Sequence, residues 1–308
     1  MKLRNLLIPA MIFSALSCTE KHIPDVPDPD VPKEPETEQE IVWDEGVKYI
    51  WDENFIPEIT IEVPVEQWNN LLKAYDKNPH TEEYVHCNVR YKKGSEETYV
   101  EDAGLRLRGN TSRVRPEGNR GQMHQTDNTD WHKCHFGLNF RKFVKDDKHE
   151  IKGVRKLHLK WFKEDPSHVR ELFCYDLFRR YGIWTSAFST YCRLWLQVGD
   201  EKPAYFGVYN MIEPIDDEFV ERREEGMFEN VKGNLWKCVY GAGGMADLKH
   251  IDPNNTNQVN WDQDNGINYT YEFKGDEEDF AAARTQLVDF IQKLNSKHSI
   301  HFEKWAKE

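Results

Sequence analysis

A run of alternating arginines and leucines, LRLRGNTSR at residues 105–113, has the composition of a phosphate-binding turn. Arg106 and Arg108 share one face of the predicted strand, and a polar turn follows directly. The turn contains Gly109, Asn110 and Ser112. Guanidinium groups and the backbone N–H groups of such a turn are suited to phosphate oxygens. The run lacks the spacing of the P-loop and of the dinucleotide-binding glycine motif, and the alternative is a hairpin tip with solvated charges.

Two lysines and two glutamates lie in segments that would place them near such a phosphate. Lys133 begins a predicted strand just after a polar loop, and Lys237 lies within an apolar strand. A lysine held on a strand is a fixed point charge for a phosphate group. Glu213 ends another apolar strand, and Arg170 and Glu171 begin a helix. In the functional interpretation, Arg170 and Glu171 form an ion pair with the lysine strand. The alternatives are an ordinary surface lysine and residues that serve only the helix end.

The spacing of the metal-ligating residue types does not predict a metal site. On a strand, His132 and Cys134 would share one face, while His135 would point the opposite way. A closed zinc site needs four convergent ligands, and no fourth has a matching spacing. The acidic stretch at residues 252–266 lacks the glutamate that a calcium loop requires after its glycine, so we interpret it as a turn. We therefore assign no metal ligand and no catalytic residue.

The elements that must position these residues mix strands and helices without regular βαβ alternation. Period-two patterns predict strands, and apolar residues spaced three and four apart predict helices. In the helix after Asp165, Val169, Leu172, Phe173 and Leu177 form the expected inner stripe. Long polar loops are expected at 109–131 and 241–268. Strands are predicted at 58–63, 84–91, 99–107, 134–140, 156–161, 188–198, 204–212, 233–240 and 269–273, and helices after Pro64, at 165–182, 215–225 and 276–294. The fold class is therefore α+β.

The composition is that of a globular protein with an acidic surface. The chain has 308 residues, 38% hydrophobic residues and a net charge of −13. This excludes disorder along the whole chain. The acidity argues against non-specific binding of nucleic acid, which needs a basic surface. Apart from Cys18 there are five cysteines, an odd number, so at least one thiol is unpaired.

The first forty residues have the pattern of an export signal followed by a tether. Residues 1–17 contain a basic start and a short apolar stretch, and Ala15-Leu16-Ser17 precedes Cys18 as in a bacterial lipobox. We expect cleavage before Cys18 and lipidation of its sulfur; the alternative is a plain secretory signal. The tether, residues 18–40, contains five prolines and eight acidic residues against two lysines. The folded domain is expected at 41–308.

Taken together and in order, these motifs resemble the CotH kinase-like family, the relatives of spore coat protein H. The motifs are RLRGNTS, a strand with Lys133, DPSHVRELFCYDLFRRYGI, FGVYNMIEPID and GNLWKC. The resemblance implies an atypical protein-kinase-like fold and transfer of phosphate from ATP to a protein acceptor with Mg²⁺ or Mn²⁺. It places the nucleotide near Arg108, Gly109, Asn110, Ser112, Lys133, Glu171, Glu213 and Lys237.

The family's acidic motifs, which supply the catalytic base and the metal ligands, lie C-terminal to this region and have no match before Glu308. We therefore expect a kinase-like fold that is incomplete at its C-terminal side, with this chain carrying the nucleotide-binding portion and being inactive alone. Exported relatives imply a location in the cell envelope, anchored by lipid to the inner or the outer membrane. The alternative is a non-catalytic surface lipoprotein that binds a glycan or a protein partner.

Overall fold

The computed structural model describes residues 43–224, 228, 233–241, 243–249, 251–252, 254–261 and 269–295. The predicted signal peptide (1–17), the tether (18–40), Cys18, the acidic residues 262–266 and residues 300–305 lie outside these ranges. The described chain is a mixed α+β structure, as the sequence predicts. Its main elements are α1 (Glu45–Ile50), β1 (Glu58–Val63), α2 (Val65–Lys77), β2 (Val85–Lys93), β3 (Glu96–Arg108), β4 (His135–Asn139), β5 (Lys156–Lys160), α3 (Arg170–Arg180), β6 (Ser189–Val198), β7 (Ala204–Ile212) and α4 (Asp217–Glu221).

Seven strands close into a barrel in the order β1-β2-β3-β4-β5-β7-β6. β1 and β6 pair in parallel, and all other neighbours in the barrel pair antiparallel. Closure leaves no free sheet edge. Along each strand, successive side chains point to opposite faces of the sheet, so every second side chain points into the barrel.

The apolar half of each strand fills the barrel interior. Leu105 and Leu107 of β3, Phe136 of β4, and Leu157 and Leu159 of β5 are all buried in one core. Their neighbours in sequence therefore face outward, and the register aligns Arg106 with Gly137 and Gly137 with His158. This alternation carries a row of polar side chains across the outer face of β3, β4 and β5.

Helix α2 packs on the barrel with the face that the sequence predicts. Trp68, Leu71 and Leu72 are buried, and Tyr75 is partly buried against the same core. The indole N–H of Trp68 donates to the carboxylate of Glu117 over 2.6 Å. This contact anchors the long polar loop at residues 109–131 to α2.

Inside that loop, Glu117 and Arg115 organise the backbone. The buried Glu117 carboxylate also accepts hydrogen bonds from the side chains of His124 and Asn128. The guanidinium of Arg115 forms an ion pair with Asp76 at 2.9 Å. A loop with little to bury is therefore ordered by buried polar contacts, which the sequence pattern does not show.

Helix α3 corrects the prediction of a buried stripe. Of the four predicted residues, Val169, Phe173 and Leu177 are exposed and Leu172 is half-buried, and none of the helix residues is buried. The side of α3 that faces the barrel presents Glu171 and Tyr175 to a polar cavity. The spacing of the apolar residues correctly shows which of them share a face, but that face points away from the barrel, because Glu171 and Tyr175 on the opposite side of the helix line the cavity.

A smaller layer lies C-terminal to the barrel. It contains β8 (Trp236–Cys238), β9 (Tyr240–Gly241), β10 (Gly244–Met245), β11 (Val259–Trp261), β12 (Tyr271–Phe273), the 3-10 turn Glu277–Asp279 and α5 (Phe280–Leu294). The strands β11, β12 and β8 form one sheet, and Tyr271, Leu287 and Ile291 form its core with Ile251 and Val259. The layer brings Lys237 and Lys274 to the outer face of the barrel.

The cysteines and the helices add two findings. Cys87, Cys134, Cys174, Cys192 and Cys238 are all free thiols, and three of them are buried. Within the described ranges, no helix is both long enough and apolar enough to cross a bilayer.

Candidate functional site

A cavity of about 540 Å³ lies on the outer face of the barrel. Strands β3, β4 and β5 form its floor, because their outward residues are the polar half of the alternating pattern. Helix α3 forms one wall, the segment 212–216 after β7 forms another, and β8 forms a third. We call this space the cationic cavity.

The lining of the cationic cavity carries eight basic and four acidic side chains. This local excess of positive charge contrasts with the net charge of −13 of the chain. A concave surface of one sign of charge concentrates ligands of the opposite sign. The basic residues are Arg106, Arg108, Arg113, Lys142, Lys156, Lys160, Lys237 and Lys274, and the acidic ones are Glu82, Glu171, Glu213 and Asp216.

Arg108 is the basic residue whose charge has no counterpart. Its side chain forms no ion pair and no hydrogen bond within the described part of the chain, although Glu171 and Glu82 act on its charge from a distance, and its buried Nε atom has no acceptor. Burial, together with the neighbouring Arg106, lowers the pKa of Arg108 to about 10, so it remains charged at neutral pH. Arg108 is half-buried, and a partly desolvated charge without an ion-pair partner is costly, a cost that an anionic ligand would remove.

Lys160 and Glu171 join the floor of the cavity to α3. The Lys160 Nζ atom lies 2.5 Å from the Glu171 carboxylate, whose other oxygen accepts from Asn210 of β7. Asp165 orients the helix, because its carboxylate accepts a hydrogen bond from the backbone N–H of Arg170. The side chain of a strand lysine is therefore held in place by a glutamate at the start of a helix.

A histidine in the floor, His158, was not identified from the sequence. Burial, with Arg108, Arg106 and Lys156 close by, lowers its pKa well below the ordinary value. His158 is thus a neutral group in a basic cavity. The signal that predicts its position is the alternation KLHLK in β5, which places Lys156, His158 and Lys160 on one face.

The structure brings six of the eight predicted nucleotide-binding residues to the cationic cavity, and their role stays a prediction. Ser112 lies instead in an adjoining cavity of about 580 Å³, which shares Lys160, Glu171 and Tyr175 with the cationic cavity. The six are Arg108, Gly109, Asn110, Glu171, Glu213 and Lys237.

Lys133 is the predicted residue that the structure places elsewhere. It is exposed, lines neither of these cavities, and its Nζ atom lies beside Gly207 of β7. Lys133 precedes β4, which begins at His135, so it is not on the strand face that lines the cavity. The lysine that pairs with Glu171 is Lys160, on the next strand along the chain.

Gly109 and Asn110, two of the predicted residues, have structural roles that explain their positions. Gly109 has a φ angle of +114°, a conformation that favours glycine, and it lets the chain turn at the end of β3. The side-chain amide of Asn110 donates to the carbonyl of Tyr240 over 2.7 Å. This bond joins the turn after β3 to the smaller layer that carries Lys237.

Glu213 is completely occupied by protein contacts. Its carboxylate accepts two hydrogen bonds from the Arg223 guanidinium, at 3.0 and 2.8 Å, and one from the backbone N–H of Phe188. Both charged side chains are fully buried. Glu213 therefore shapes the wall of the cationic cavity and has no oxygen left for a ligand.

A family model described as CotH kinase protein matches residues 105–308, more than half of the chain. The chain belongs to the CotH kinase family. The match begins at Leu105, inside β3, and so includes Arg106 and Arg108 of β3 together with all of β4 and β5. Comparisons with curated proteins and with solved structures each gave no match.

Membership of the CotH kinase family implies that the protein binds ATP and a divalent metal ion. The described residues suit the phosphates of ATP but not the metal ion. The basic floor and the unpartnered Arg108 suit a polyphosphate chain. For the metal, no group of three or more histidine, cysteine, aspartate or glutamate side chains with suitable geometry occurs in the described part of this CotH protein. The four acidic residues of the lining are each paired with a basic residue, so the described site does not fit Mg²⁺ or Mn²⁺.

Proposed function

We propose that this CotH kinase family protein binds ATP in the cationic cavity, as the nucleotide-binding part of an atypical kinase that phosphorylates a protein acceptor. The observation that supports this proposal is the Lys160–Glu171 ion pair beside the unpartnered Arg108. In protein kinases, a strand lysine paired with a helix glutamate positions the phosphates of ATP. Here too, a lysine on a strand pairs with a glutamate on a helix, on the outer face of the barrel.

The proposed placement uses the charges of the cavity. The triphosphate lies over β3 and β5, where Arg108 and Lys160 reach it from two sides. The neutral imidazole of His158 adds a hydrogen-bonding group to the floor without adding charge. The adjoining cavity, with Trp161, Phe162 and Tyr175 in its lining, continues from the phosphate end towards α3 and would admit part of an acceptor.

The test is calorimetric titration of the chain with ATP, with the Lys160→Met variant and a matched control. Lys133→Met removes the same side chain and the same charge from a position outside both cavities. We expect wild type and Lys133→Met to bind alike, and Lys160→Met to bind at least tenfold more weakly. Thermal shift provides a second readout, since ligand at about 100 times its dissociation constant adds about 2.7 kcal/mol of stability.

Two outcomes would overturn the proposal. One is a folded wild-type chain that binds no ATP, and the other is an equal loss of affinity in the two lysine variants. The second outcome would mean that total charge, and not the Lys160–Glu171 pair, determines binding. A phosphate-transfer assay with Mn²⁺ on the same samples tests the separate prediction that this chain is inactive alone.

The export signal supports a proposal on location. We propose that the protein is anchored in the cell envelope by lipid on Cys18, because the lipobox-like ALSC run follows a short apolar stretch. Cys18→Ala should abolish labelling by a radioactive fatty acid and release the protein from the membrane fraction. Retention of label in Cys18→Ala would contradict the assignment.

A further inference from the structure

The acidic side chains that line the cationic cavity are all neutralised by the protein itself. Each of the four forms an ion pair with a basic residue. The pairs are Glu82 with Arg106 at 3.2 Å, Glu171 with Lys160 at 2.5 Å, Glu213 with Arg223 at 2.8 Å, and Asp216 with Lys156 at 2.9 Å. A metal ion would have to take a carboxylate away from one of these partners.

The partners make such an exchange unfavourable. Glu213 is fully buried, so losing it would leave the equally buried Arg223 without its counter-charge. Glu82 lies between two arginines, Arg106 and Arg113, and the basic residues around it, with Arg106 the strongest, lower the pKa of its carboxyl group despite burial. Mg²⁺ also prefers a nearly complete octahedron of oxygen ligands, whereas the surrounding side chains are mostly nitrogen donors that carry positive charge.

The excess charge of the cavity indicates which form of the ligand it fits. ATP carries about four negative charges when it is free of metal and about two when Mg²⁺ is bound, so the metal halves the charge that the protein can attract. The lining has four more basic than acidic residues, of which Lys237 and Lys274 share the carboxylate of Glu272 outside the lining, and Arg108 forms no ion pair in the described structure. Protein cations can neutralise a phosphate chain as a bound metal ion does.

We infer that the cationic cavity binds the triphosphate chain in its metal-free, fully ionised form, and that Mg²⁺ competes with the protein for the ligand. This inference rests on the proposed function, because it names the charge state of the ligand of that same site. The recognised chemistry is a condensed phosphate, which a nucleoside triphosphate and inorganic tripolyphosphate share.

The test is calorimetric titration of the full chain with ATP in EDTA and in excess Mg²⁺, at the same ionic strength. We expect the dissociation constant to be at least tenfold lower in EDTA. Inorganic tripolyphosphate in EDTA should compete with ATP. If tripolyphosphate binds as tightly as ATP, the protein recognises the phosphate chain alone. If it binds more weakly, the nucleoside contributes part of the affinity. Both outcomes support the inference.

Two variants connect the effect to the cavity. Arg108→Gln should weaken binding in EDTA more than in Mg²⁺ and so reduce the ratio between the two conditions. Lys160→Met should do the same and serves as the second variant if Arg108→Gln does not fold. Lys133→Met, outside the cavity, should keep the wild-type ratio, which controls for a general effect of removing one positive charge from the chain.

The failure of this inference is distinct from the failure of the proposed function. Binding of ATP that requires Mg²⁺, or that is equal in the two conditions, overturns the inference and leaves ATP binding in place. Absence of ATP binding in both conditions overturns the proposed function, and the inference with it.

Discussion

Replacing Glu213 by glutamine separates a structural role from a role in ligand binding. Glu213 is 1% exposed to solvent, and both oxygens of its carboxylate accept hydrogen bonds from Arg223. The guanidinium of Arg223 has five N–H groups, and all of them are satisfied. Two donate to Glu213, and the others donate to the backbone carbonyls of Trp184, Ser186 and Phe219. Arg223 also lies over the Phe219 ring, 3.5 Å from its centroid.

The expected cost follows from this geometry. Glu213→Gln keeps the shape of the side chain but leaves the Arg223 charge buried without compensation. Removal of one partner of a buried ion pair costs about 3–5 kcal/mol of unfolding free energy. For a domain of this size, 1 kcal/mol corresponds to a change of about 2–4 °C in the melting temperature, so the variant should melt about 6–20 °C lower. Replacing both residues, Glu213→Met with Arg223→Met, should recover part of the loss.

Urea denaturation and calorimetry measure the stability of these variants, and ATP titration at a temperature where all are folded measures binding. Since neither Glu213 oxygen is free, we expect the dissociation constant of Glu213→Gln to stay within about threefold of wild type, less than 1 kcal/mol. An unchanged melting temperature combined with a loss of ATP binding would refute the reasoning. In that case Glu213 would be a ligand-binding residue.

Three further changes test other parts of the structure. His135 is held neutral by burial and by Arg108, which lower its pKa to about 3, so the unfolded chain binds more protons below pH about 6.5. As the pH is lowered from 6.5 to 3, the free energy of unfolding should therefore fall by up to about 1.4 kcal/mol per pH unit for this group. It should fall less steeply in His135→Gln. Equal pH dependence of the two unfolding free energies, measured by urea denaturation, would contradict this. Glu117→Ala should cost about 2–4 kcal/mol, because it leaves the Trp68 N–H and other buried donors unpaired, and should make residues 109–131 sensitive to trypsin; resistance equal to wild type would count against the anchoring role. Gly109→Ala should cost about 1–3 kcal/mol, because φ is +114° there, and an unchanged urea midpoint would disprove the need for glycine.

Much of the barrel is predictable from the sequence because alternation is a local signal. In LRLR at residues 105–108 the leucines enter the core and the arginines face the cavity, as the period of two requires. The same reasoning applied to KLHLK would have identified Lys156, His158 and Lys160 as one polar face. The burial of Trp68, Leu71 and Leu72 follows in the same way from helical spacing.

The exposed face of α3 shows the limit of such patterns. Spacing places Val169, Phe173 and Leu177 on one side of the helix, and that part of the prediction is correct. Which side of a helix is covered depends on its neighbours, and here Glu171 makes an ion pair on the opposite side. The contact between Lys160 and Glu171 spans two different elements, so neither segment alone shows it.

The sequence by itself determines the alternation of the strands, the α+β class and the run of motifs that marks the CotH kinase family. It does so because these properties depend on residues that are close together in the chain. The tertiary structure decides which lysine meets Glu171, since the register of β4, β5 and β7 brings Lys160 to the cavity and leaves Lys133 outside. It also decides that Glu213 faces Arg223, because a buried carboxylate must be paired with whatever cation the fold brings within reach.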